Sequence, residues 1–269
     1  SALRRPYGLF LITGPTGSGK STTLFTALDH LNDVGLNIVT LEDPVEYHVN
    51  GVNQSQINAD VGLTFASGLR SILRQDPDVV MVGEIRDLET ASLVVHAALT
   101  GHVVLSTLHT NDAIGAIPRL MDMKVEPFLL AAVFRLVGAQ RLVRRLCPHC
   151  RKSVPIPPPV RGMLDRELRE IPLAQKTEEN QREPRVLYQG AGCAECGSRG
   201  TLGRLAIVEV IPVEETIRAA IVRGAPQDEL AKLAGELGNL TMRKDGILKA
   251  LAGVTTLEEV EKVTGSLQW

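Results

Sequence analysis

The chain of 269 residues carries 29 Lys plus Arg against 31 Asp plus Glu, a formal charge of −2, with 44% apolar and 22% charged residues. That is enough chain for one large domain, or a core with one or two small ones; near-neutral charge and 3% aromatic content oppose a nucleic-acid binder, which needs a basic face and stacking rings. No apolar run approaches the roughly 18 to 20 residues of a membrane span, and Leu9–Ile12 is too short for a signal peptide, so the chain reads as soluble and, with a core strand starting almost at once, as a piece cut from a longer protein.

Gly8 to Thr13 is a short apolar run ending in a glycine loop, and Ser21 to Leu31 then places Leu24, Ala27, Leu28 and Leu31 at helical spacing. The pattern predicts strand, loop, helix. Asn37 to Leu41, Val79 to Val82 and Val103 to Leu108 read as further buried strands. Between them, Leu69, Ile72 and Leu73 predict a helix within Leu63 to Gln75, stopped by Pro77. Strands alternating with helices imply an α/β fold, a parallel sheet covered on both faces.

The pattern changes at Arg141. Arg141, Arg144, Arg145, Arg151 and Lys152 follow with no acid among them, and Pro155, Pro157, Pro158 and Pro159 suggest a stiff extended arm. The chain stays polar and weakly periodic to about Gly203, and Leu205 to Ile211 resumes as a strand. Pro226 with Asp228 and Glu229 fits a helix start ending near Gly238, and Thr256 with Glu259 fits a capping box. No internal repeat is present.

Gly14-Pro15-Thr16-Gly17-Ser18-Gly19-Lys20-Ser21 fits the P-loop pattern G-x-x-x-x-G-K-[ST] between a predicted strand and a predicted helix. Its glycines let successive N–H groups turn inward around phosphate oxygens, and the helix N-terminus adds its dipole. Lys20 would reach the β and γ phosphates, and Ser21 would ligate Mg²⁺. The alternative is a glycine turn with a stray lysine. Val79 to Glu84 has the layout of a Walker B strand, with Gly83 where an Asp is usual and Glu84 as the acid; the plain alternative pairs Glu84 with Arg86 at a strand end. Glu42, Asp43 and Glu46 crowd the carboxyl end of another strand, where open parallel sheets place their sites. They are acids for water or Mg²⁺, or a solvated loop. Thr107, His109 and Thr110 end the last strand and His102 starts it, so His109 is either a γ-phosphate contact or a structural histidine. Arg70 and Arg74, four apart with no acid at i−4, either approach a phosphate or form a solvated basic face.

Cys147-Pro-His-Cys150 and Cys193-Ala-Glu-Cys196 use all four cysteines in two C-x-x-C pairs, with 42 residues between the pairs. Such pairs read as a closed, structural Cys₄ zinc site, with the intervening arm a long loop clipped at its base; two disulfides are the alternative. His149 is not expected as a ligand.

Taken together, Gly14 to Thr23, Glu42 to Glu46, Leu73 to Asp87, Leu99 to Asn111 and the paired cysteines resemble the secretion ATPase superfamily of type II secretion and type IV pili, over nearly the whole chain. The cysteine pairs look like those of the secretion and pilus-assembly branch. The resemblance implies an ATP hydrolase with Walker A at Gly14 to Ser21 and Thr22 beside it, an Asp box at Glu42 to Glu46, Walker B at Val79 to Glu84 and a His box at His102 to His109. Glu84, and secondarily Glu46, fall to the attacking water, and Arg70, Arg74 and Arg86 to phosphate or subunit contacts. Gly83 is usual in that superfamily. It further implies a RecA-like core (1–143), a tetracysteine zinc subdomain (144–203) and a mainly helical C-terminal subdomain (204–269), with ATP, Mg²⁺ and Zn²⁺ as ligands. The intact protein is expected to be a homo-hexamer at the cytoplasmic side of the inner membrane, docked on a membrane platform and cytoplasmic docking proteins. An N-terminal half that closes over the nucleotide is expected to be missing here, making this piece a weak ATPase and a poor self-assembler alone. A P-loop kinase using Arg141 to Arg151 as a lid and a non-catalytic partner-binding module stand as rivals; a DNA translocase is opposed by charge and aromatic content.

Overall fold

The computed structural model describes residues 6–171 and 186–267. Residues 172–185, part of the polar stretch between the cysteine pairs, lie outside the described residues. The chain divides into two compact units, Ser1–Ala139 with Val210–Ala234 and Gln140–Glu209 with Gly235–Trp269.

The first unit begins β1 (Gly8–Thr13), α1 (Lys20–Leu31), β2 (Ile38–Glu42), β3 (Asn53–Gln56), α2 (Phe65–Ile72), β4 (Val79–Val82), α3 (Leu88–Leu99), β5 (Val103–Leu108), α4 (Ala116–Asp122), α5 (Pro127–Val133) and the start of β6 (Phe134–Leu146). Every residue of β2, β4 and β5 is buried, the signature of strands covered on both faces. The strands stand in the order β3-β2-β4-β5-β1-β6, and all these pairs are parallel. Leu41 faces Val82, Val82 faces Ser106 and Ser106 faces Leu11, so the strands stop nearly level and their carboxyl ends share one edge.

On one side, α1 turns Leu24, Phe25 and Leu28 onto Phe10, Ile38, Met81 and Leu105, leaving Thr22, Thr26, Asp29 and His30 exposed. α2 is shorter than its sequence pattern. It starts at a reciprocal Thr64–Ser67 capping box and stops at Ile72, so Arg74 sits in the turn beyond it rather than on a shared helical face with Arg70. Polar groups inside β5 find carbonyls on β4's end: Ser106 Oγ donates to Val82 O at 2.7 Å and Thr107 Oγ1 to Gly83 O at 2.7 Å. The helix Glu215–Val222 returns to this unit, where Arg218 Nε donates to Ala131 O at 2.9 Å.

The second unit contains β7 (Arg151–Pro155), α6 (Pro158–Arg169), β8 (Val186–Gly190) and most of β9 (Thr201–Pro212), followed by the helices Met242–Leu251 and Leu257–Thr264. The arm expected as a long loop is built differently. β7 and β8 pair antiparallel from Arg151 opposite Gly190 to Pro155 opposite Val186, and the prolines taken for an extended spacer start α6, with Pro158 and Pro159 inside its first turn. Proline suits that turn because its missing N–H has no helical partner to lose. Met163, Leu164 and Leu168 of α6 share one core with Ile247, Leu251, Leu257 and Leu267. The two units therefore cut across the three segments drawn on the sequence, since a core common to 158–169 and 242–267 draws both stretches together.

Thr256 caps the last helix by accepting from the Glu259 N–H at 3.3 Å. The capping box is one-sided, because the Glu259 carboxylate accepts instead from the Arg144 N–H at 3.0 Å and from Lys262. At the base of the β7–β8 ribbon, a Cβ on Gly190 would lie 2.1 Å from Gly200 O, and one on Gly200 (φ 72°) 2.7 Å from Gly190 O.

Two substitutions test this packing. Leu28→Ala, at a fully buried site, should lower unfolding free energy by about 2 to 5 kcal/mol in urea titrations. Gly190→Ala places a methyl against backbone and should lower the melting midpoint of the second unit, read by differential scanning calorimetry; an unchanged midpoint would show that the Gly190–Gly200 approach is not required.

Candidate functional site

The glycine loop lies between β1 and α1, its carbonyls and amides bent by left-handed residues that only glycine adopts easily: Gly17 has φ 76° and Gly19, the residue before α1, φ 87°. The Gly14 N–H donates to Leu108 O at 3.3 Å, tying the loop to the end of β5. Lys20 is half-buried, and its ammonium donates to Gly14 O at 2.8 Å and Pro15 O at 3.0 Å, spanning the loop from inside. Ser18 is buried, Ser21 half-buried at the first turn of α1, and Pro15, Thr16 and Thr22 exposed. Thr22 Oγ1 stands 3.4 Å from the Tyr47 hydroxyl. Tyr47 had no place in the sequence reading; its proximity to α1 follows from its ring lying 4.8 Å from that of Phe25.

At the end of β4, Glu84 is largely enclosed, its side chain 17% exposed. One carboxylate oxygen pairs with Arg86, and the other lies 3.3 Å from His109 Nε2 at the end of β5. Arg86 also reaches Asp43 at 3.3 Å and lies over the Phe65 ring at 5.9 Å. Its guanidinium is held even more firmly charged than usual, first by the hydrogen bond it donates to the Glu84 carboxylate, which together with the fields of Glu84 and Asp43 outweighs the opposing effect of burial. Glu84, Arg86, Asp43 and His109 thus form one polar cluster drawn from three strand ends. Gly83 leaves little room for a side chain: a Cβ there would stand 3.2 Å from Leu41 O, closer than an ordinary contact. The carboxylate usual at that position would crowd the contact between β4 and β2.

The three acids at the end of β2 and just beyond it separate. Glu42 is 4% exposed and accepts from Thr40 Oγ1 at 2.5 Å and Gln54 Nε2 at 2.9 Å, so it faces its own sheet rather than solvent. Asp43 joins Arg86. Glu46 is exposed and, among the described residues, has no ion pair or hydrogen bond. The arginines separate too: Arg70 pairs with Glu89 of α3, which relieves its charge, whereas Arg74 is exposed without an acidic partner among the described residues. His102 lies at the amino end of β5, hydrogen-bonded to Ala97 O at 2.8 Å and Thr100 Oγ1 at 3.2 Å. That is the opposite edge of the sheet from the P-loop.

In the second unit, Cys147, Cys150, Cys193 and Cys196 converge, all four Sγ atoms within 4.8 Å of one another. Neighbouring sulfurs are 3.7 to 3.9 Å apart, far beyond a disulfide's roughly 2.05 Å. A tetrahedron of thiolates about 2.3 Å from a central zinc has edges of about 3.8 Å, so the donor set fits that ion. Each pair is a tight turn: Cys150 N donates to Cys147 O at 3.3 Å and Gly197 N to Ala194 O at 3.0 Å. Burial pushes the Cys150 thiol up to about 11. Burial opposes ionisation of Cys196 as well, but N–H donation from Cys193 and Gly200 prevails and brings it down to about 6. His149 is exposed and outside the cluster.

A family model described as "Type II/IV secretion system protein" matches residues 1–262. The chain is 51% identical over 262 residues to the "Type II secretion system protein E" of Dickeya dadantii, covering 97% of this chain and 49% of that protein. It is 51% identical over 258 residues to the "Type IV pilus assembly ATPase PilB" of Thermus thermophilus, covering 96% of this chain and 28% of that one. It therefore spans about half the length of the secretion relatives it matches. Among solved structures, the pilus retraction motor PilT with bound ADP superposes with a TM-score of 0.71 at 29% identity, over 98% of this chain and 63% of that chain. The ATPase DotB of Legionella pneumophila, at 24% identity, shares the fold with a TM-score of 0.67 over 97% of this chain and 61% of that chain. A P-loop, a shared edge of acids and a tetracysteine cluster, matched from residue 1 to residue 262 by one family model, place the chain in the type II/IV secretion system protein family.

Proposed function

We propose that the chain is the ATPase region of a type II secretion or type IV pilus assembly motor, hydrolysing ATP with Mg²⁺ to drive pilin or pseudopilin assembly. The observation that supports it most is the convergence of the Gly14–Ser21 loop with Glu84, His109, Asp43 and Arg86 at the same edge of one parallel sheet. ADP bound to the PilT motor, and the ATPase names of the relatives, supply the nucleotide.

In this reading Gly14, Pro15, Thr16, Gly17, Ser18 and Gly19 cradle the β and γ phosphates through their backbone. Lys20 gives up its loop carbonyls for phosphate oxygens, and Thr22 borders the cradle. Ser21 holds Mg²⁺, which supplies charge to neutralise the phosphate oxygens. Glu84 orients and polarises the attacking water, with Glu46 as a second acid. Arg86 and His109 hold the Glu84 carboxylate until the γ phosphate competes for the positive charge of Arg86 and for the N–H donors of both, so His109 reports on the phosphate. Arg74, exposed beyond α2, and Arg70, paired with Glu89, are the candidates for phosphate or subunit contacts in a homo-hexamer. The tetracysteine cluster holds Zn²⁺ as a structural ion with all four positions filled by protein. Docking on an inner-membrane platform and cytoplasmic partners completes the reading; no helix among the described residues is long and apolar enough to cross a membrane.

In the full-length protein, Glu84→Gln should keep ATP binding within a few fold, measured by fluorescent-nucleotide titration, and lower turnover by about 10² or more in a phosphate-release assay; retained turnover removes Glu84 from its role. One equivalent of Zn²⁺ per chain should appear by elemental analysis and vanish in Cys196→Ser. Chelation should lower the melting temperature of the second unit but leave nucleotide affinity within a few fold, since thiols and P-loop belong to different units.

A further inference from the structure

The loop that follows β2 carries Glu46, yet it has no regular secondary structure of its own from Asp43 to Val49. Its shape is held from outside, and one side chain does most of the holding. The carboxamide of Gln54, on β3, donates from Nε2 to Glu42 Oε1 at 2.9 Å and to Tyr47 O at 3.0 Å, while its Oε1 accepts from the Val49 N–H at 2.7 Å. Two residues on, Gln56 Oε1 accepts from the Val45 N–H at 3.3 Å. Glu42, the anchor, is itself fixed by Thr40 Oγ1 at 2.5 Å and is 4% exposed. At the far end, the Tyr47 ring packs on Phe25 of α1 and its hydroxyl stands 3.4 Å from Thr22 Oγ1, directly after Ser21. Glu46 lies between the Val45 and Tyr47 attachments, and alone among the acids of this loop it keeps no partner among the described residues.

We propose that Gln54 and Glu42 are positioning residues for Glu46: the buried Glu42 oxygen and the Gln54 carboxamide hold the 43–49 loop against the first turn of α1, so that Glu46 is presented to the nucleotide without spending its carboxylate on the loop. Glu42 serves as a hydrogen-bond acceptor and not as a charge for metal or water. This rests on the hydrolytic reading of the site, with Glu46 as an acid in it. The geometry accounts for three features together: a carboxylate buried beside a site where exposed acids abound, a polar side chain that uses both its donor and its acceptor on one loop, and an acid left with no partner inside that loop. A glutamine at 42 keeps an oxygen where Oε1 lies; an alanine at 42 or 54 removes a partner on which the loop depends.

The test is phosphate release by the full-length protein, with nucleotide affinity measured separately and folding followed by thermal melting. Wild type and Glu46→Gln establish the background, the latter expected to lose at least tenfold in kcat. Gln54→Ala and Glu42→Ala should each lose about tenfold in kcat with KM and nucleotide affinity changed less than threefold, because the P-loop is untouched. Glu42→Gln should stay within threefold of wild type. Gln54→Ala added to Glu46→Gln should cost less than a further twofold, since a residue acting through Glu46 has nothing left to position. Full activity in Gln54→Ala alongside an impaired Glu46→Gln overturns this proposal alone. So does a loss in Glu42→Gln as deep as in Glu42→Ala, which would assign a charge role. Additive losses in the double variant, or loss of nucleotide binding with the melt in Gln54→Ala, overturn it as well. An unimpaired Glu46→Gln in an active wild type overturns both this proposal and Glu46's assignment, and a wild type that releases no phosphate overturns the hydrolytic reading beneath them.

Discussion

Parallel pairing in near-level register is the constraint on which the first unit depends. Because β1, β2, β4 and β5 run the same way and Leu11, Ser106, Val82 and Leu41 lie in one row, the segments leaving their carboxyl ends must emerge together. The P-loop, the acidic loop, Glu84 and His109 come from stretches spread over about a hundred residues of sequence, and no local preference could assemble them. Hydrogen bonds between strand ends tighten the arrangement: Thr107 Oγ1 donates to Gly83 O, the Gly83 N–H to Leu41 O at 2.8 Å and the Ile85 N–H to Thr107 O at 3.0 Å. Each is buried enough that leaving its partner unpaired would cost on the order of 1 to 3 kcal/mol, so the rim of the site is stiff where it meets the sheet.

Within that rim the carboxylates divide by environment. Glu42 is enclosed and bonded to neutral donors, Glu84 is held between a guanidinium and an imidazole, and Glu46 stands exposed. Identical chemistry on the sequence becomes three different tasks, because what surrounds a carboxylate sets whether it orders backbone, holds cations or meets solvent. The charged cluster around Arg86 is partly exposed and screened, so its pairs contribute orientation more than stability.

What could be read without coordinates follows from how local its cause is. The apolar runs of β1, β2, β4 and β5 were legible because a strand covered on both faces has no polar alternation to obscure it, and the P-loop and C-x-x-C turns were legible because their spacing is itself the geometry. β3, Asn-Gln-Ser-Gln, carried no signal, since it lies at the sheet's edge and works through its side-chain amides. The prolines at 157–159 are ambiguous on the sequence because the same φ serves an extended arm and a helix's first turn, and only the α6 core decides between them. Arg70's partner, Glu89, lies on another helix, beyond any i to i+4 rule. The inward course of Glu42 depends on a glutamine twelve residues along, which no pattern of acids reveals.

The bare backbone at Gly83 carries a consequence for how this site can be altered. Elsewhere among P-loop proteins a carboxylate occupies the end of the equivalent strand, but here the Leu41 carbonyl of the neighbouring strand stands 3.2 Å from where its Cβ would lie. Grafting an acid there by one replacement would press its Cβ on that carbonyl and require the end of β2 to yield by a few tenths of an ångström. A redesign of metal coordination in this architecture therefore has to reckon with the seam between two strands as well as with the side chain exchanged.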